Sequence, residues 1–181
     1  DCLFVAAGIH AAELGGHVLS GAVMNPVGMD ELIPDWRSRA PVGPAVTKDT
    51  FHFLSRTGDW ALPGFMIPPQ MKVPNAIIIS LGELVKWLGE EAQSLGIDIF
   101  PMTAAVDVLT GERGEVTGII TGDLGVDANG NPKSSHAAGI ALRAKYTLIG
   151  EGARGSLAKG LIARFGLETG PQLYGLGIKE V

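Results

Sequence analysis

Cysteine is nearly absent. Cys2 is the one thiol in 181 residues, which excludes an internal disulfide and any metal cluster held by cysteines of this chain. No apolar run approaches the ~18 residues that a bilayer-spanning helix needs. No basic stripe is present either: 14 Lys and Arg are interspersed with 19 Asp and Glu, for a net charge of −5. The electrostatic footprint of a nucleic-acid binder is therefore missing, and no nucleic acid is expected as a partner. The chain starts at Asp1 rather than Met, and "DCLFVAAGIHAAELGGH" has no basic leader, so it reads as a portion of a longer chain without a signal peptide. His10, His17, His52 and His136 share no metal-ligand spacing, and with one cysteine no zinc site is expected. Ser20 and Ser156 lie outside any G-x-S-x-G, which leaves a serine hydrolase without support.

Glycine and apolar residues are plentiful. The 26 glycines are about twice the average usage of roughly 7% and imply many tight turns. The 46% apolar content fills a core, and the length suits one domain or one and a fraction. "CLFVAAG" suits either a strand or the start of a helix. Asn25-Pro26 is a turn signal, and Met29 to Trp36 suit two helical turns that stop near Pro34. A long proline-rich connection follows, about 40–75, with a β-hairpin expected around Arg56–Asp59.

"NAIIIS" predicts a strand. Ser80 and Glu83 then form a capping box for a helix whose apolar stripe is Leu81, Leu84, Val85, Leu88, Ala92 and Leu95. Glu83, Lys86, Glu90 and Gln93 take its wet side, and Gly96 ends it. "IDIF" predicts the next strand. "AAVDVLTGERGEVTGIITG" predicts two strands joined at Gly111–Gly114, and "VDANGNPK" a further turn. "ALRAKYTLIGEG" predicts one strand, apolar on both faces from Tyr146 to Ile149, as in a central parallel strand. A helix using Leu157, Leu161, Ile162 and Phe165 follows. The order predicts an α/β (mixed α+β) fold: parallel βαβ elements with an antiparallel β insertion.

"EGARGSLAKGL", Glu151 to Leu161, puts a glycine turn between that strand and that helix. Free N–H groups and the helix dipole favour an anion there, with Arg154 and Lys159 adding positive charge. Taken alone, the turn better suits a plain strand-to-helix crossover.

The turn does not stand alone. "HVLSGAVMNP", "ELIPDWRSRAPVGPAVTKDTFHFL", "SLGELVKWLGEEAQSLGIDIFP", "TAAVDVL", "GVDANGNPK", "AKYTLIGEGARGSLAKGLIARFGL" and "PQLYGLGIKEV" come in one order. Together they resemble the electron-transfer flavoprotein–ubiquinone oxidoreductase family from about Glu13 to the last residue. The resemblance implies a membrane-bound enzyme with FAD and a [4Fe–4S] cluster, taking electrons from reduced electron-transfer flavoprotein and giving them to ubiquinone. It implies an FAD/NAD(P)-binding-like domain portion over 1–181, with the segment of about 40–75 inserted and no complete second domain. It also implies a peripheral or monotopic location on the inner mitochondrial or bacterial cytoplasmic membrane.

By the same resemblance, Leu19, Ser20, Gly21 and Ala22 run beside the flavin ring, with His17 next to them, and the backbone of Val106 meets the adenine end of FAD. Glu151 and Gly152 lie where the ribityl and pyrophosphate part passes. Leu32, Ile33 and Trp36 are the membrane contacts of a segment from about His17 to Arg39. No side chain is implied as catalytic, because the flavin does the redox chemistry, and no residue is implied as a metal ligand.

Departures from the family pattern accompany this. The G-x-G-x-x-G motif and the acid that grips the adenosine ribose are absent. Ser80 stands where an arginine is expected, and the four cluster cysteines are missing. The chain thus reads as an internal portion. Two alternatives stand beside it: an FAD-dependent reductase or hydroxylase of the geranylgeranyl reductase type, and a cofactor-free fragment that binds a membrane or partner.

Overall fold

The computed structural model describes residues 2–6, 13–16, 18, 21–152, 155–171, 173 and 175. They divide into two compact units: residues 11–99, and residues 1–10 with 100–181. The expected insertion of about 40–75 falls inside the first.

In the unit spanning 11–99, β2 (Gly21–Met24) and β3 (Val42–Ala45) flank β6 (Ile77–Ser80), both antiparallel to it. Strand β6 alternates as its pleat requires, with Ile77 and Ile79 buried and Ile78 and Ser80 exposed. Between β2 and β3 come α1 (Val27–Leu32) and a single 3-10 turn, Trp36–Ser38. Strands β4 (His52–Leu54) and β5 (Asp59–Ala61) make the hairpin expected around Arg56–Asp59. Helix α2 (Leu81–Ser94) follows β6 directly. Ser80 Oγ accepts from the Glu83 N–H at 3.5 Å, the N-cap read from the sequence. At the other end Gly96 adopts φ +80°. There Gly96 N–H bonds the Gln93 carbonyl at 2.9 Å and Ile97 N–H the Ala92 carbonyl at 3.1 Å, a Schellman ending that favours glycine. Met29, Trp36, Ile77, Ile79 and Leu84 form the core of this unit. Leu84 is buried at the centre of the expected stripe, whereas Leu95, past the last turn, is 81% exposed.

In the other unit β1 (Cys2–Ala6) runs parallel to β12 (Tyr146–Gly150), with Val5 opposite Ile149. Strand β8 (Val116–Thr121) is the centre of an antiparallel sheet between β7 (Ala105–Thr110) and β11 (Ala141–Arg143). The β7–β8 turn is the one expected at Gly111–Gly114. Strands β9 (Leu124–Val126) and β10 (Pro132–Ala137) pair across the "DANGN" turn. Helix α3 (Ser156–Phe165) sets Leu157 against Val5, Val108 and Ile119.

The class and the two longer helices match the reading, while the helix expected over Met29 to Trp36 runs over Val27–Leu32 instead: the fold is mixed, with helices and largely antiparallel sheets. Three expectations are corrected. Residues Ile97–Phe100 are irregular rather than a strand, so no βαβ unit forms around α2. The neighbours of β6 are antiparallel, and among the described residues only β1–β12 is parallel. The single strand expected from Ala141 onward is two, β11 and β12, because the chain breaks at Ala144–Lys145 to join different sheets. No helix of the described residues is long and apolar enough to cross a membrane.

Candidate functional site

The turn after β12 is already furnished with an anion. Helix α3 has Gly155 at its N-cap, which offers no side chain to the free amides of the first turn. The Glu151 carboxylate reaches them instead, accepting from Ala158 N–H at 2.7 Å and Leu157 N–H at 3.3 Å. A Cβ on Gly155 would stand 2.2 Å from Glu151 Cβ and 2.6 Å from its Oε2. Gly155 is therefore the residue that lets the carboxylate fold back. The positive end of the α3 dipole is neutralised from within the chain. Gly152 has φ +77°, and a Cβ there would meet nothing within 4 Å, so the backbone beside the turn is open.

This geometry tests the implied FAD. A carboxylate accepts hydrogen bonds and repels phosphate, so the α3 N-terminus does not fit a pyrophosphate while Glu151 occupies it. A hydroxyl-bearing stretch of a cofactor is a chemical match for the same acceptor. Arg154 lies outside the described residues.

Val106, expected at the adenine end of FAD, lies on β7 in the same unit as Glu151. The β7–β8 register runs Ala105 to Thr121 and then Asp107 to Ile120, so Val106 is the extra residue of a β-bulge. A bulge frees one residue's backbone from the ladder and is common beside binding sites. Val106 is 57% exposed. In the other unit, Gly21 and Ala22 lie on β2 opposite Ser80 and Ile79. Gly21 is exposed, and Ala22 packs on the core. Leu19, Ser20 and His17 lie outside the described residues.

The expected membrane contacts separate. Leu32 is 69% exposed, Ile33 is half-buried and Trp36 is 0% exposed. Trp36 is therefore corrected from a surface contact to a core anchor. Its indole N–H donates to Asp30 Oδ1 at 2.7 Å, and the Arg37 guanidinium grips the same carboxylate while lying over the indole ring at 5.1 Å. The Arg37 and then the Trp36 hydrogen bond hold the Asp30 carboxyl below its ordinary range. Beside them Arg39 binds both Glu91 oxygens at 2.5 Å, which raises the Arg39 pKa. Once these bonds fix the indole nitrogen, the tryptophan belongs inside.

Exposed apolar surface gathers instead on and after the β4–β5 hairpin. Phe53 stacks on Trp60 across the strands at 5.8 Å, and Phe51 meets Phe53 edge-on at 5.2 Å. Leu54 is 83% and Phe65 86% exposed. His52 pairs with Asp59 on the same hairpin. Periodicity does not reveal this patch, because the segment has no regular pattern; its density of aromatics and prolines is the one available signal. A shallow cavity of about 480 Å³ between Arg37, Gly43 and Asn75 contains none of the expected site residues. Among the described residues no group of three or more His, Cys, Asp or Glu could hold a metal.

No family model matches the chain. Curated relatives do, and they are oxidoreductases. The chain is 46% identical over 175 residues to the electron transfer flavoprotein-ubiquinone oxidoreductase of Pseudomonas aeruginosa, covering 94% of this chain and 32% of that protein. It is 45% identical over 172 residues to the mitochondrial protein of the same name from Dictyostelium discoideum, covering 93% and 28%. For the mitochondrial protein from Bos taurus the values are 42% over 175 residues, 94% and 28%. The resemblance carried by the ordered segments is thus borne out, and the chain spans about 30% of the length of these relatives.

Proposed function

We propose that the chain is a portion of an enzyme that passes electrons from reduced electron-transfer flavoprotein to ubiquinone by way of FAD and a [4Fe–4S] cluster. One observation carries this reading: at least 42% identity over at least 93% of the chain to proteins named for that activity, from a bacterium, a slime mould and cattle. FAD supplies the redox chemistry when bound. The contribution of this chain is positional and belongs to an FAD-binding-like domain portion, with the segment of about 40–75 inserted. The Val106 bulge and the open backbone at Gly152 offer main chain to a nucleotide, and Glu151 offers an acceptor to hydroxyls rather than to phosphate. Ser20, Gly21 and Ala22, with Leu19 before them, supply small residues for a flat ring. The cluster ligands are not among these residues.

Lipid contact is assigned to Leu54, Trp60 and Phe65, joined by Leu32, on a peripheral protein of the inner mitochondrial or bacterial cytoplasmic membrane. Exposed aromatic and aliphatic side chains suit a bilayer interface.

A segment exchange tests both statements. This chain is substituted for the matching third of the Pseudomonas aeruginosa relative. The chimera should purify yellow and reduce ubiquinone with reduced electron-transfer flavoprotein. A folded but colourless chimera would support the cofactor-free reading. With Leu54, Trp60 and Phe65 changed to Ser, the chimera should stay yellow and no longer float with vesicles. Equal flotation would mean that protein, not lipid, covers the patch.

A further inference from the structure

We propose that Asn129–Gly130, at the tip of the β9–β10 hairpin, is a site of spontaneous deamidation whose rate is governed by the Asp127 side chain. The chemistry selects one of the four asparagines. The backbone nitrogen of the following residue must attack the side-chain amide carbon. Asn25 and Asn131 precede Pro26 and Pro132, which have no N–H to give up. Asn75 precedes Ala76, which is 1% exposed, and the Ala76 carbonyl is bonded to Val46 N–H at 2.8 Å. Asn129 and Gly130 are both exposed, and glycine puts no side chain in the path of attack.

The step balances without an oxidant. The Gly130 nitrogen forms a bond to Asn129 Cγ, the bond from Cγ to Nδ2 breaks, and ammonia leaves with the Gly130 proton. Water then opens the ring. Opening at Cγ leaves aspartate; opening at the main-chain carbonyl leaves isoaspartate.

The turn restrains this reaction. The attacking nitrogen is tied by its N–H to the Asp127 carbonyl at 3.0 Å. Asp127 Oδ1 accepts from Asn129 N–H and Asn131 N–H, each at 2.8 Å, and Oδ2 accepts from the Asn131 side-chain amide at 3.1 Å. Those bonds, the Asn131 main-chain N–H first, hold the Asp127 carboxyl below its ordinary range. The turn must open before Gly130 can reach Cγ. An isoaspartate then lengthens the main chain by one carbon and sets a second negative charge beside Asp127, so the turn cannot re-form as it was.

The test follows the 181-residue chain at mildly alkaline pH by peptide mapping and mass spectrometry. Aspartate and isoaspartate should accumulate at Asn129 ahead of the other three asparagines. Asp127→Ala should speed this about fivefold, the worth of one net hydrogen bond. Asp127→Ser, which keeps a shorter acceptor, should fall between, with circular dichroism confirming that both variants fold. Asn129→Gln should abolish the products at that position. The proposal is overturned if the folded chain leaves Asn129 intact while the same chain in urea converts it. Equal rates in wild type and the folded Asp127 variants overturn it as well.

Discussion

The two long helices start in different ways. Helix α2 is capped by the residue immediately before it, with Ser80 Oγ on the Glu83 amide at 3.5 Å. Helix α3 is capped from four residues before its glycine N-cap, with Glu151 on the Leu157 and Ala158 amides at 3.3 and 2.7 Å. The first is a local device that any Ser-x-x-Glu stretch can make. The second needs a strand to end, a glycine turn to reverse the carboxylate, and Gly155 to leave room for it. A neutral hydroxyl satisfies one donor. A carboxylate satisfies two and cancels the helix charge that a phosphate would have used.

The units that hold these helices differ in the same sense. The unit with α2 is centred on one fully buried indole, and Trp36→Ala is expected to have the largest effect, about 3–5 kcal/mol of stability in urea denaturation. A loss below about 1 kcal/mol would remove Trp36 from the centre of its core.

The caps come next. Glu151→Ala should cost about 1–2 kcal/mol and Ser80→Ala about 0.5 kcal/mol, because the Ser80 bond is long and the charged cap serves two amides. Equal losses would erase the contrast between the two helix starts.

Acid should separate the units least. The Asp30 carboxyl is held below its ordinary range by Arg37 and then Trp36. A group whose folded pKa is depressed contributes its stability above the ordinary carboxylate value, about 3.9, and loses it as pH falls through the folded value. Asp30→Asn should therefore lower the urea midpoint slightly at pH 7 and make it fall less between pH 4 and pH 2. An unchanged acid limb would show that the Asp30 pair is too exposed to matter.

Much of the local structure was legible in the chain alone. Periodicity placed α2 and the Leu157–Leu161 side of α3, although Phe165, expected on that side, is exposed; Ser80 and Gly96 marked the ends of α2. The β4–β5 and β7–β8 hairpins, and the turn that joins β9 to β10, followed from their turn residues. The site was less so. Val106 and Glu151 were named through resemblance, yet the bulge at Val106 depends on how β7 registers against β8. The role of Glu151 depends on a fold-back that no spacing announces. The largest misreading was Trp36, since an indole in "IPDW" suits an interface as well as a core until Asp30 and Arg37 are seen around it.

By itself the sequence determined what short-range forces decide: strands that alternate, helices with one apolar face, and turns where glycine or asparagine relieves the backbone. Tertiary structure decided which strands became neighbours, parallel or antiparallel, and which polar groups met. Strand pairing and the capture of a distant amide both close long loops, and their free energy exists only once the rest of the unit has packed.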